Sequence, residues 1–206
     1  MTIRYHLHDL PDLSAYKDAK AVAVDTETLG LNPHRDRLCV VQLSAGDGSA
    51  DVVQIAKGQS EAPNLKALFE AQDKPKIFHF ARFDVAVLKK YLDIDVSPVW
   101  CTKIASKLCR TYTDRHGLKD ICRELLSVDL SKQQQSSDWA ADKLSDAQLA
   151  YAASDVLHLH ALRDKLTFML EREDRLAMAQ ACFDFLPVRA QLDLAGWPEN
   201  DIFAHS

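Results

Sequence analysis

The most informative segment of the chain is Ala21-Val22-Ala23-Val24-Asp25-Thr26-Glu27-Thr28. Its four apolar residues predict a short buried strand, and two carboxylates follow them two positions apart. Because side chains alternate across a strand, the Asp25 and Glu27 carboxylates lie on the same side. Carboxylates this close repel one another unless cations neutralise them. The stretch therefore predicts a strand that ends at a site for positive ions.

Two later segments carry groups of the same chemistry. The segment Ile77-Phe78-His79-Phe80-Ala81-Arg82-Phe83-Asp84 ends in a carboxylate, and Tyr151-Ala-Ala-Ser-Asp155 places a phenol and a carboxylate four residues apart. Residues at that spacing share one face of a helix. Hard divalent cations such as Mg²⁺ or Mn²⁺ prefer oxygen ligands and keep water molecules for chemistry. We expect five catalytic residues, of which the four carboxylates bind metal: Asp25, Glu27, Asp84, Asp155 and Tyr151.

The order of these segments resembles that of the DEDD superfamily of 3′–5′ exonucleases. Tyr151 is similar to the tyrosine of the DEDDy branch, which includes ribonuclease D; the histidine branch would need a histidine at position 150, where Ala150 stands. The block Lys132-Gln-Gln-Gln-Ser-Ser-Asp-Trp139 also resembles a block of ribonuclease D-like proteins. The similarity covers roughly residues 20–170.

The resemblance implies a ribonuclease H-like fold, an α/β domain with a mixed sheet flanked by helices. A chain of 206 residues is long enough for one such domain and too short for the additional helical domains of full-length ribonuclease D. It is most similar to the short, single-domain nanoRNase C family, whose members form ring-like homo-octamers. We expect an exonuclease domain over residues 1–190 and a C-terminal tail over 191–206, which docks on its own domain or on a neighbouring subunit.

The function implied by the resemblance is 3′–5′ hydrolysis of short single-stranded RNA, especially dinucleotides, to nucleoside 5′-monophosphates. Two Mg²⁺ or Mn²⁺ ions about 4 Å apart would activate the water and stabilise the leaving oxygen. Two other functions stay open. One is a general ribonuclease D-like trimming enzyme, and the other is a DNA-directed or dual-specificity exonuclease, because discrimination between RNA and DNA rests on contacts to the 2′-hydroxyl. A non-catalytic nucleic-acid-binding protein would be expected to have lost the metal ligands, and all are present.

Composition narrows the partners and the compartment. The net charge of −5 argues against a long, tightly held duplex, because such binding comes from many cations on phosphates. Five cysteines without a Cys-x-x-Cys pair favour neither a disulfide framework nor a zinc site. No apolar stretch has the length of a signal peptide core or of a membrane span. We expect a cytoplasmic protein.

Several residues are candidates for substrate binding, each with a structural alternative. Leu29 and Leu31 follow the first motif and could wedge against a terminal base or pack in the core or in a turn. His79 could contact the terminal nucleotide or a phosphate, or be a buried histidine bonded to backbone. Thr26, between the first two carboxylates, is a further candidate.

The one basic region offers a second group of candidates. Lys103 and Lys107 share a predicted helix face with Arg110. This face could be a phosphate-binding rim, a solvated surface or a subunit contact with an acidic partner. Trp139 could stack on a base or belong to the core.

Hydrophobic periodicity predicts the remaining elements. The predicted strands cover residues 21–25, 38–43, 50–55, 76–79 and 99–101. The predicted helices cover residues 64–71, 84–91, 102–110, 117–126, 145–170 and 173–186. Ser145 and Gln148 form a capping-box pattern that fixes the start of the longest helix.

Overall fold

Six strands form one mixed sheet in the computed structural model, which describes residues 2–131 and 133–205. Lys132, the first residue of the ribonuclease D-like block, lies outside the described residues. The strands are β1 (Thr2–Leu7), β2 (Val22–Thr28), β3 (Leu38–Ser44), β4 (Ser49–Gln54), β5 (Lys76–Phe78) and β6 (Val99–Cys101). Their order in the sheet is β1-β4-β3-β2-β5-β6. Strand β3 is antiparallel to both of its neighbours, β2 and β4, whereas β1 and β4, β2 and β5, and β5 and β6 pair in parallel.

Seven α-helices accompany the sheet in the described residues. They are α1 (Pro63–Glu70), α2 (Ala81–Leu92), α3 (Thr102–Cys109), α4 (Leu118–Leu126), α5 (Asp146–Leu157), α6 (Leu159–Arg172) and α7 (Leu176–Leu194). Helix α5 contacts strands β1 to β4, while α7 packs against β6 and α2. The predicted mixed sheet flanked by helices is confirmed. None of the helices in the described residues is long and apolar enough to cross a membrane.

Two hydrophobic clusters fix the sheet between its helices. Val22, Ala23 and Val24 of β2 are fully buried in the larger cluster, as a central strand covered on both faces requires. Val40 and Val52, from neighbouring strands, instead belong to a smaller cluster with residues of α5 and the segment before it. Strand β2 is thereby held rigidly up to the point where its carboxylates begin.

Two of the predicted helices have other bounds in the structure. The helix predicted over 145–170 is two helices, because the His158 N–H bonds to the Val156 carbonyl and the chain turns before α6 packs on α3. The capping box at Ser145 is confirmed. The last predicted helix, 173–186, runs instead from Leu176 to Leu194. It continues through Pro187 because buried residues on both sides of the proline hold it to the core.

The start of α2 and the existence of β1 also differ from expectation. Helix α2 begins at Ala81, so Asp84 lies inside its first turn instead of opening it. Strand β1 has no counterpart among the predicted strands. Its apolar residues alternate with polar ones and form no continuous apolar run like those of the predicted strands, as suits a strand at the edge of the sheet that pairs only with β4 among the described strands.

The C-terminal tail, residues 191–206, folds back on its own chain. The Arg82 guanidinium donates to both carboxylate oxygens of Asp193, at 2.6 and 2.7 Å, and to the Pro198 carbonyl at 2.6 Å. The Phe203 ring lies 5.8 Å from the Phe185 ring. Contacts to its own domain are therefore one role of the tail.

Candidate active site

Three elements bring the five predicted catalytic residues to one place. Asp25 and Glu27 lie at the end of β2, Asp84 in the first turn of α2, and Tyr151 and Asp155 on α5. Carboxylate oxygens of Asp25, Glu27 and Asp155 lie within 4.8 Å of one another, and this is the only such group of three among the described residues. Asp-x-Glu on one strand and an aspartate on a crossing helix thus form the cluster that the sequence indicates.

Asp84 is tied to the same strand through Thr26. The Thr26 hydroxyl donates to Asp84 Oδ1 at 2.7 Å, and both side chains are buried. Thr26 alternates with Asp25 and Glu27 along β2, so its contact to α2 fixes the distance between strand and helix. The structure therefore places Thr26 as a support for a candidate metal ligand, and the hydroxyl predicted to bind substrate already has a partner.

Gln42 is a site residue that the sequence reasoning missed. It lies opposite Asp25 in the β2–β3 register, and its fully buried side chain donates from Nε2 to Asp25 Oδ2 at 2.7 Å. This hydrogen bond fixes the orientation of the Asp25 carboxylate. The available signal was a single amide inside the otherwise apolar run Leu38–Leu43.

The electrostatics of the cluster favour bound cations. Burial, and then the neighbouring carboxylates Asp84 and Asp155, raise the pKa of Asp25 well above its ordinary value. Burial and the same two carboxylates raise the pKa of Glu27 to about 9. Burial raises the pKa of Asp84 and of Asp155 to about 7, although a hydrogen bond from Thr26 opposes the change at Asp84. The four carboxylates lie close together, offer only oxygen atoms as ligands and carry negative charge that nearby cations would neutralise. They therefore fit Mg²⁺ or Mn²⁺.

Tyr151 is a donor and not a base in this environment. Burial, followed by the charges of Asp155, Glu27 and Asp25, raises the pKa of its phenol above the ordinary value of 10.0. Its ring lies 6.0 Å from that of Trp139, tilted by 41°. Trp139 is 2% exposed and belongs to the smaller core cluster, so the prediction that it is a core residue holds and base stacking by its ring face does not.

An open cavity of about 590 Å³ runs along the carboxylates. Leu29 and Leu31 line it and are 53% and 85% exposed, so neither belongs to the core. His79 lines it too, and its Nδ1 lies 2.8 Å from Thr102 Oγ1. Burial and the nearby Lys103 lower the pKa of His79 to about 3, so the imidazole is neutral.

The basic region is divided by the fold. The Lys103 ammonium lies 4.4 Å from the centre of the Phe80 ring, at the edge of the acidic cavity. Lys103 and Lys107 line a neighbouring cavity. Lys107 is not among the residues that line the cavity along the carboxylates. Arg110 is buried, donates to Ser106 Oγ at 2.9 Å and pairs with Glu124. The expectation that Arg110 extends a phosphate rim is therefore wrong, because its charge is already neutralised.

Comparisons with known proteins agree with this geometry. A family model described as a 3′–5′ exonuclease matches residues 10–171. The chain belongs to the 3′–5′ exonuclease family. It is 34% identical to ribonuclease D of Gluconacetobacter diazotrophicus over 155 residues, 75% of this chain and 39% of that protein. It is 36% identical to DNA polymerase I of Aquifex aeolicus over 151 residues, 73% of this chain and 24% of that protein. The chain spans about two fifths or less of the length of these relatives.

Solved structures extend the likeness to the whole chain. NrnC of Brucella melitensis with bound Mg²⁺ is 64% identical, covers 100% of both chains and gives a TM-score of 0.97. NrnC of the same organism bound to pGG gives the same identity, coverage and TM-score. RNase D of Escherichia coli is 25% identical with a TM-score of 0.73, over 84% of this chain and 45% of that chain. The resemblance to ribonuclease D-like exonucleases, and to their short nanoRNase C form, is confirmed.

Proposed function

We propose that the chain is a metal-dependent 3′–5′ exoribonuclease that hydrolyses short RNA, especially dinucleotides, to nucleoside 5′-monophosphates. One observation carries the proposal: the likeness to NrnC of Brucella melitensis extends over the whole chain at 64% identity, and that protein has been solved with Mg²⁺ and with pGG. The carboxylate cluster of Asp25, Glu27 and Asp155 supports it with the ligands that such chemistry requires.

The carboxylates divide between two cation positions in this proposal. Asp25, Glu27 and Asp155 would hold one cation, and Asp84 with Asp25 would help to hold a second. When bound, two Mg²⁺ or Mn²⁺ ions supply Lewis-acid activation of water and stabilise the leaving 3′ oxygen. The chain's own contribution is to fix the ligands, through Thr26 on Asp84 and Gln42 on Asp25.

Tyr151 orients the attacking water in this mechanism. Since its phenol stays protonated, we expect Tyr151→Phe to lower kcat by about 100-fold with little change in thermal stability. The control is Tyr91→Phe, because Tyr91 precedes Asp95 at the same spacing but donates to the Pro33 carbonyl at 3.0 Å. Steady-state rates on a dinucleotide measure both. A Tyr151→Phe rate equal to that of Tyr91→Phe would contradict the assignment.

The substrate contacts of the proposal follow the lining of the cavity. The exposed Leu29 and Leu31 wedge against the terminal base, and neutral His79 contacts the terminal nucleotide. Lys103 and Lys107 contribute charge toward the phosphate from the side of Phe80. Assembly into a homo-octamer and a cytoplasmic location are part of the same proposal and rest on the family resemblance.

Substrate length is the feature that tests the proposal. We expect 5′-labelled RNA of two nucleotides to be cleaved at least about 10-fold faster than RNA of seven nucleotides, a difference of ~1.4 kcal/mol in transition-state binding. The series is run in Mg²⁺ with DNA of equal lengths beside it. Equally rapid stepwise shortening of the longer RNA would favour general ribonuclease D-like trimming, and equal rates on DNA would favour dual specificity.

A further inference from the structure

Three buried side-chain polar atoms have no hydrogen-bond partner in the part of the chain that the structure describes: Gln42 Oε1, Trp139 Nε1 and His160 Nδ1. Such atoms are rare in folded proteins, because burial removes their hydrogen bonds to water. Two of the three belong to the catalytic region. Gln42 donates to Asp25 through its other amide atom, and Trp139 lines the acidic cavity. Two of the three unpaired atoms therefore lie in the region where a bound substrate would supply hydrogen-bonding groups.

The indole of Trp139 is held in one position. The residue is 2% exposed and packs in the smaller core cluster with Val40, Val52 and Ala152. Its ring also lies against that of Tyr151, at 6.0 Å. The indole nitrogen is the only polar atom of the side chain and can only donate. A fixed, unpaired donor thus lies beside the residue proposed to orient the water.

We propose that the Trp139 indole N–H donates a hydrogen bond to an oxygen of the bound nucleotide, which makes Trp139 a substrate-binding residue. The inference rests on the proposed function, since it takes the nucleotide as the ligand. The acceptor is an oxygen of the sugar-phosphate backbone or of the base. The rest of the cavity wall beside Trp139 is polar, with Gln135, Ser136 and Ser137, which suits a ligand rich in oxygen.

The matched experiment compares Trp139→Phe with Trp100→Phe in the full chain. Trp100 is also buried, at 6% exposure, and packs against an aromatic ring, that of Phe183 at 5.0 Å and 43°. It does not line the acidic cavity, and its nitrogen is not among the unpaired atoms. Both substitutions replace an indole with a phenyl ring in a similar aromatic contact. Only Trp139→Phe removes an unpaired N–H from a residue that lines the cavity.

We expect Trp139→Phe to lower kcat/KM for a dinucleotide by about 10- to 100-fold, the usual contribution of a hydrogen bond to a charged group. Trp100→Phe should leave kcat/KM within about 2-fold, a difference of only ~0.4 kcal/mol. Trp139→Phe should also lose less thermal stability than Trp100→Phe, because deleting an unpaired buried donor offsets part of the lost packing. A Trp139 that only supports the core would instead leave kcat/KM of Trp139→Phe within about 2-fold of the wild type, as in Trp100→Phe.

Binding of the dinucleotide, measured by calorimetry, distinguishes a failure of the indole contact from a failure of the proposed function. Wild-type protein that binds and cleaves, with Trp139→Phe equal to it in both, overturns the indole contact and leaves the proposed function intact. Wild-type protein that neither binds nor cleaves overturns both. A dinucleotide without its terminal base distinguishes the acceptors: a persisting effect of Trp139→Phe assigns the contact to the backbone oxygens, and a vanished effect assigns it to the base.

Discussion

Asp155→Asn is expected to lower kcat for dinucleotide cleavage by about 1,000-fold while the protein stays folded. Asp155 completes the group of three carboxylates, and an amide cannot supply the negative charge that holds a divalent cation. Loss of the cation removes several kcal/mol of transition-state stabilisation, and each ~1.4 kcal/mol is a factor of ten in rate. Single-turnover rates at saturating Mg²⁺, with circular dichroism to verify folding, measure the effect.

The control for this substitution is Asp164→Asn. Asp164 is an exposed aspartate on α6, the helix that follows α5, so its replacement tests for a general effect of losing one negative charge. We expect its rate to match the wild type. Near-normal activity of Asp155→Asn would contradict the metal assignment, and calorimetric titration with Mn²⁺ would then be expected to show unchanged affinity.

The second large effect is on stability. We expect the metal-free protein to lose about 2 kcal/mol between pH 7 and pH 8.5. Glu27, whose ordinary pKa is 4.5, has a folded-state pKa of about 9 and therefore keeps a proton that the unfolded chain has already released. A folded state that binds more protons becomes less stable as the pH rises, by ~1.4 kcal/mol per pH unit for one proton. The window begins above the ordinary histidine pKa of about 6.5 and ends at the ordinary cysteine pKa of about 8.5.

Thermal unfolding in EDTA and in Mg²⁺ at both pH values measures this effect. In EDTA, Tm should fall by about 5 °C between pH 7 and pH 8.5, as about 2 kcal/mol implies for a chain of this size. In Mg²⁺ the fall should disappear, because the cation displaces the proton and replaces its stabilisation. Glu27→Gln should reduce the fall in EDTA, and the part that remains belongs to Asp25, Asp84 and Asp155, whose pKa values are also raised. A Tm in EDTA that stays constant or rises over this window would show that burial and mutual repulsion do not destabilise the ionised carboxylates.

Local patterns explain why the site was predictable from the sequence. Asp25 and Glu27 follow a strand whose alternation sets their common side, and Tyr151 and Asp155 follow the helical period. Each rule needs only a few consecutive residues, so tertiary packing does not change the outcome. The mixed sheet follows in the same way from short apolar runs and their separations.

Features that depend on pairing between distant segments were not predictable. Gln42 supports Asp25 because the register of β2 and β3 places them opposite, and no local pattern fixes that register. Arg110 lies at helical spacing from Lys107, as a basic rim would require, yet Glu124 from the next helix neutralises it. The end of α5 before His158 likewise follows from packing of α6 on α3.

The most direct test of the central claim is a time course with a 5′-phosphorylated dinucleotide in Mg²⁺ and in EDTA, with products separated by chromatography. The account predicts release of nucleoside 5′-monophosphates in Mg²⁺, no cleavage in EDTA, and full recovery when excess Mg²⁺ is added back. Equal cleavage in EDTA, or products that carry a 3′-phosphate, would contradict a metal-dependent 3′–5′ exonuclease built on these carboxylates.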